Sequence, residues 1–165
     1  MYKRQGVFGD DGLVINKFGG IRFRYHGVDF DAWCLSDTWA FQEKIIPLED
    51  VESLLQTTLL SWDAVLYDVL SKKIISSCNY LQDLKRGHLE LVLRETPNET
   101  GSIIKVLRTI FSKQVKTMGP QLCGYLTQNL ERYDFQTLHH YEMTHYAKAS
   151  FSANDVEQLV SKLAN

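Results

Sequence analysis

The stretch that most constrains this chain is Ile21-Arg22-Phe23-Arg24-Tyr25-His26-Gly27-Val28-Asp29-Phe30-Asp31-Ala32, because its pattern admits one pairing and disfavours its neighbours. Glycine accepts a positive φ freely, and histidine tolerates one better than most residues, so His26-Gly27 suits a two-residue hairpin turn. Counting outward from that turn sets Tyr25 opposite Val28, Phe23 opposite Phe30 and Ile21 opposite Ala32, all on one apolar face. The other face then pairs Arg24 with Asp29 and Arg22 with Asp31, two favourable opposite-charge pairs. A slip of one residue would carry those charges to the apolar face, so the register is strongly selected. Trp33 falls across from Gly20 on the charged face, where a ring covers a strand glycine.

The hairpin sits in a glycine-punctuated front segment, with six of the ten glycines before residue 28. Short β-type runs alternate with them (Val7-Phe8, Leu13 to Ile15, Ile21 to Tyr25, Val28 to Cys34), the rhythm of an antiparallel meander over residues 1–35. Asp10-Asp11-Gly12 supplies one further turn and Gly19-Gly20 another, the latter pairing Phe18 with Ile21 and placing Lys17 opposite Arg22. One face of this sheet is expected in water and the other against helices.

From Ser36 onward the apolar spacing changes to about 3.6 residues. Ser36 or Asp37 is expected to cap a helix to about Ile46, and Pro47 to start the next. Residues 47–86 contain no Gly or Pro after Pro47 and predict one long helix or two. Within residues 88–95, Leu89, Leu91 and Leu93 alternate with His88, Glu90 and Arg94, a strand pattern built from helix-forming residue types. Further helices are predicted from a Ser102 cap to about Met118, from Pro120 to about Tyr133, from an Asp134 cap to about Ala149, and from Ser152 or Asn154 to the end. The last has an inner face of Val156, Leu159, Val160 and Leu163. The fold expected is α+β: a meander packed against a mainly helical remainder over residues 36–165, in one domain. The alternative is a helical bundle with a β-hairpin appendage.

The 18 basic and 20 acidic residues nearly balance, so net charge gives no reason to expect nucleic acid or an anionic membrane as partner. Lys72, Lys73, Lys85, Arg86, Arg94, Lys105, Arg108, Lys113 and Lys116 nonetheless make residues 72–116 locally basic. Three widely spaced cysteines, Cys34, Cys78 and Cys123, form no CxxC or Cys–His cluster and read as core thiols in a reducing compartment. The N-terminus leads into no apolar signal-like region and no run of about 18 apolar residues exists, so a cytoplasmic protein without membrane spans is expected.

Candidate chemistry is sparse. Glu142-x-x-His145 places two metal-ligating types on one helical face, but the chain has no second Glu-x-x-His to complete a binuclear site. Gly6-x-x-Gly9-x-x-Gly12 precedes a strand, not a helix, and lacks the Lys-Ser/Thr of a phosphate loop. No nucleophile elbow exists, no catalytic residue is nominated and no cofactor is implied. The aromatic surplus points instead to Trp33, Tyr141 and Tyr146 as binding anchors, since Tyr and Trp are enriched where protein interfaces concentrate their energy. The reading is a non-enzymatic protein-binding module: an adaptor, an inhibitor or immunity-type protein, or an assembly subunit. The first alternative is an enzyme or a small-ligand or metal sensor with a site assembled from distant residues. The second is a weak nucleic-acid binder through residues 72–116.

Overall fold

The computed structural model describes residues 13–15, 19–146 and 148–164. The fold is α+β, and the chain divides into two compact units, one ending at Leu54 and one beginning at Leu55.

In the first unit, β1 (Val14–Ile15), β2 (Ile21–Tyr25) and β3 (Val28–Ala32) form an antiparallel sheet in that order. The β2–β3 register is the one the alternation demands, with Tyr25, Phe23 and Ile21 opposite Val28, Phe30 and Ala32. His26 at φ 49° and Gly27 at φ 79° both take the left-handed conformation that a type I′ turn requires. Arg22 and Arg24 each grip their aspartates through two nitrogens, at 2.8 and 3.0 Å to Asp31 and 2.7 and 3.0 Å to Asp29. Hydrogen bonding to its arginine is the main force holding each carboxyl below the usual aspartate range. The native hairpin therefore binds fewer protons than the unfolded chain around and below an ordinary aspartate pKa. Its ion pairs contribute fully above that value and are lost as the pH falls through the lowered one. A carboxyl-detected NMR titration should show Asp29 and Asp31 ionising below the ordinary aspartate value. Midpoints at the ordinary value would mean that the pairs do not form in solution.

The β1–β2 connection differs from the tight Gly19-Gly20 turn expected. Ile15 pairs with Ile21 and Val14 with Arg22, so five residues link the strands. The observed register puts an apolar residue opposite Ile21 and avoids a Lys–Arg pair at Arg22. Gly19, at φ 82°, lies in that longer loop. The expected strand at Val7-Phe8, the turn at Asp10-Asp11-Gly12 and the residues Lys17 and Phe18 lie outside the described residues. After the sheet, the helix expected to run to Ile46 is instead a 3-10 turn, Leu35–Asp37, followed by a single α-turn, α1 (Trp39–Gln42). No side chain caps α1, and Lys44 at φ 56° ends the segment.

The largest departure is residues 47–86. In place of long helices the chain makes 3-10 turns at Val51–Thr57 and Ser61–Asp63, an antiparallel hairpin of β4 (Val65–Asp68) and β5 (Lys73–Ser76), and a short α2 (Tyr80–Arg86). The hairpin strands are rich in Val, Ile and Tyr, which fit a pleated surface. Their turn carries no glycine. Asp68 supplies it, its carboxylate accepting from the Leu70 backbone N–H at 2.9 Å and from the Ser71 hydroxyl, while Lys72 takes φ 57°. Gly87 at φ 72° ends α2 as a left-handed C-cap.

Residues 88–93 pair as strand at two places. His88–Leu89 (β6) pairs in parallel with Thr117–Met118 (β7), and Leu91 bridges Leu60. Leu89, Leu91 and Leu93 are all buried, as strand alternation requires. Three long helices close over them: α3 (Glu99–Ser112), α4 (Pro120–Arg132) and α5 (Phe135–Tyr146), followed by α6 (Ala153–Leu163). The cap of α3 is Asn98, not Ser102. Its Oδ1 accepts from Gly101 N at 3.0 Å, and Ser102 lies inside the first turn. Helix α3 ends at Ser112 because Thr117-Met118 is drawn into the parallel pair. Pro120 occupies the first turn of α4 as expected, and the Glu90 carboxylate accepts from Leu122 N at 2.8 Å at that helix start. A Cβ on Gly119 would collide with this carboxylate, so glycine there makes room for the cap. Asp134 caps α5 through Thr137 N, but the helix stops at Tyr146. Ser152 and Asp155 form a reciprocal capping box on α6.

The core of this second unit gathers Leu60, Leu89 and Leu91 with Ile103, Ile104, Val106 and Leu107 of α3, Leu122, Tyr125 and Leu126 of α4, and Leu138, Val156 and Leu159. Val160, expected on the inner face of α6, is exposed. The thiols depart from expectation too. Cys34 and Cys78 are exposed, and Cys123 is half-buried, with burial and the nearby Glu90 raising its pKa. Among the described residues no helix is long and apolar enough to cross a membrane.

Candidate functional site

The predicted metal pair does not share an environment. Glu142 is fully buried, and its Oε1 accepts from Arg108 Nη1 at 2.6 Å and from Ser150 N at 3.0 Å. His145, one turn on, is exposed, stacks on Tyr141 at 3.9 Å and sets Nδ1 2.9 Å from the Tyr141 carbonyl. No group of three His, Cys, Asp or Glu side chains is placed to hold a metal among the described residues. Glu142 acts as a buried tie between α5, α3 and the chain leading to Ser150.

The three aromatic candidates separate by what they touch. Trp33 is exposed, its indole N–H donating to Thr38 Oγ1 at 3.2 Å. The Tyr141 hydroxyl is engaged within the second unit, accepting from Asn98 Nδ2 at 2.7 Å and crowding Gly101 so closely that a Cβ there would clash. Tyr146 lies 4.2 Å beneath the Arg108 guanidinium, a cation–π contact. Trp33 and Tyr146 are both exposed, and Tyr141 is half-buried with its hydroxyl engaged.

Exposed apolar side chains instead concentrate on the two hairpins. On the β1–β2–β3 sheet, Ile15, Ile21, Tyr25, Val28 and Phe30 share one face and are all exposed, and Phe30 stacks on Phe23 at 5.2 Å. On the β4–β5 hairpin, Tyr67, Val69, Leu70 and Ile74 are exposed, Leu70 at 95%. Alternation alone identified the first face, but the helical reading of residues 47–86 hid the second.

The basic middle block is divided. Lys105 pairs with Asp63 at 2.7 Å and Arg108 with Glu142. Lys85, Lys113 and Lys116 line a cleft of about 460 Å³ beside Trp62. Lys85 and Lys113 lie at the C-terminal ends of α2 and α3, where the helix dipole favours cations, so these charges have a local role.

Arg94 belongs to a second cleft, of about 320 Å³, between the residue 94–99 segment and α4. Its walls are Arg94, Glu99, Gln128 and Arg132, and Tyr125 and Asn129 form its buried floor. Glu95 and Thr96 complete the rim. Glu99 accepts from Arg132 at 2.9 Å and from the Tyr133 hydroxyl at 2.8 Å, and the Tyr133 bond is the largest cause of its lowered pKa. Burial, helped by Glu99, pushes the Tyr125 hydroxyl up to about 12, so it stays protonated. Sequence reasoning missed this cleft because its floor residues lie one helical turn apart, in the i, i+4 pattern of an ordinary core face.

No protein-family model, no curated protein and no solved structure matches this chain.

Proposed function

We propose that this chain is a non-enzymatic protein-binding module, acting as an adaptor, an inhibitor or an assembly subunit. The observation that carries the reading is the exposed apolar face of Ile15, Ile21, Tyr25, Val28 and Phe30 on one sheet. Contiguous apolar surface is uncommon on proteins that work alone, and its exposure is unfavourable unless a partner covers it. The ion pairs on the opposite face neutralise one another, so recognition rests on apolar contact and shape. The partner this surface fits is a different protein presenting an apolar helix or strand face. Exposed free thiols at Cys34 and Cys78 suit a reducing compartment such as the cytoplasm.

The test compares the tagged full chain with a Val28→Lys/Phe30→Lys variant, in capture from native lysate and in sedimentation equilibrium. Both positions are exposed strand sites, and unchanged circular dichroism would show that the variant folds. The expected result is a monomer that captures one protein stoichiometrically, with capture lost in the variant. Capture that survives the substitutions, or none by either protein, would overturn the reading. So would a dimer abolished by the substitutions, which would make the face a contact between copies of this chain.

A further inference from the structure

Among the buried polar atoms of the second unit that lack a hydrogen-bond partner, two lie one turn apart on α4. The Tyr125 hydroxyl and the Asn129 Oδ1 are buried and accept or donate no hydrogen bond. Tyr125 is 3% exposed and Asn129 is 2% exposed. Buried polar groups are nearly always paired, because the water they gave up must be replaced. Asn129 does use its other end, donating from Nδ2 to the Tyr125 carbonyl at 2.8 Å. That bond fixes the amide, with Oδ1 left over as an acceptor. One helical turn apart on α4, the two atoms offer a donor and an acceptor together, and both residues line the same cleft.

The walls above them are charged. Arg132 is satisfied by Glu99. Arg94 hydrogen-bonds only to the neutral Gln128 side chain and has no carboxylate partner within salt-bridge distance among the described residues. The Arg94 charge helps hold the Glu99 carboxyl low from across the cleft without a direct ion pair, so the guanidinium can still hold an incoming carboxylate through two parallel N–H bonds. Glu95 on the rim is a place for a positive charge.

We infer that this cleft is a binding site for a small carboxylate whose far end carries a primary amide or a hydroxyl. The carboxylate pairs with Arg94. The polar end approaches the floor, where Asn129 Oδ1 lacks a donor and the Tyr125 hydroxyl lacks an acceptor. An amide or a hydroxyl has both capacities, whereas a second carboxylate could only accept and an alkyl group could do neither. A polar α-amino acid is the member of this class that also uses Glu95, through its ammonium. The site is independent of the exposed sheet face, since every residue in it belongs to the second unit.

Titration calorimetry and amide NMR of the full chain with L-glutamine and L-asparagine test the inference, with L-malate, whose far end is a second carboxylate, as the control expected to bind more weakly. The expected result is saturable binding of at least one amide probe, with shifts at Gln128 and Asn129. Tyr125→Phe, which removes only the oxygen, should weaken that binding roughly tenfold, the loss of one buried hydrogen bond. Arg94→Gln should weaken it by more, because a charge-assisted pair is lost. Two results would overturn the inference: no saturable shift with any probe, or a Tyr125→Phe protein that binds its probe as tightly as the unaltered chain. In the first case an ordered water bridging the two oxygens would account for the floor.

Discussion

Replacing Arg108 with methionine is expected to destabilise the second unit by about 3–5 kcal/mol, because it strands a buried carboxylate without its cation. Glu142 has no solvent exposure and Arg108 only 26% along its side chain, so the pair is shielded from water on the Glu142 side. The guanidinium spans several elements. It donates to Glu142 from α3, donates to the Lys148 carbonyl at 2.9 Å, and covers the Tyr146 ring. Methionine retains most of the apolar stem, so the loss reports the charge and its hydrogen bonds and not a cavity. The double variant Arg108→Met/Glu142→Gln is the control. Glutamine still accepts from Ser150 N but carries no charge, so the double variant should recover a large part of the loss. Urea unfolding of the single and double variants gives the coupling directly as a double-mutant cycle. A loss under about 1 kcal/mol for the single variant would mean that water reaches Glu142 in solution.

What could be read from the sequence followed the locality of the signal. The His26-Gly27 hairpin was fully specified, since turn chemistry, alternation and two charge pairs agree within twelve residues. Pro120 and Ser152 marked helix starts for the same reason. Residues 47–86 misled because apolar residues every three to four positions mimic a helix, while the signal against one was a single aspartate, Asp68, whose side chain builds a turn without glycine. Strand propensity at Tyr67, Ile74 and Ile75 was outweighed by that spacing. Leucines 89, 91 and 93 showed the opposite conflict, with alternation prevailing over the helical preference of leucine once β7 was there to pair. The candidate sites were the least legible. Glu142 was visible as a ligand type, yet its ion pair joins residues 34 apart in sequence. The Tyr125–Asn129 floor differs from any i, i+4 core pair only in what its oxygens fail to reach.

The second large expectation contrasts two leucines of identical chemistry. Leu107 has no solvent exposure in the core between α3 and its neighbours, whereas Leu70 is 95% exposed at the tip of the β4–β5 hairpin. Leu107→Ala should cost about 2–5 kcal/mol, from the lost transfer free energy and the cavity that close-packed neighbours cannot fill. Leu70→Ala should change stability by no more than about 0.5 kcal/mol, as expected of a surface site with no packed neighbours. Urea unfolding with a common slope measures both. The comparison bears on function as well as on folding. If Leu70 contributes nothing to stability, an exposed leucine beside Val69, Tyr67 and Ile74 is an aggregation hazard with no folded-state benefit in the isolated chain. Its presence then argues for a surface that is covered in use, as we propose for the N-terminal sheet. If Leu70→Ala instead costs about 2 kcal/mol or more, the tip packs in solution, and the β4–β5 hairpin loses its claim to be a partner surface.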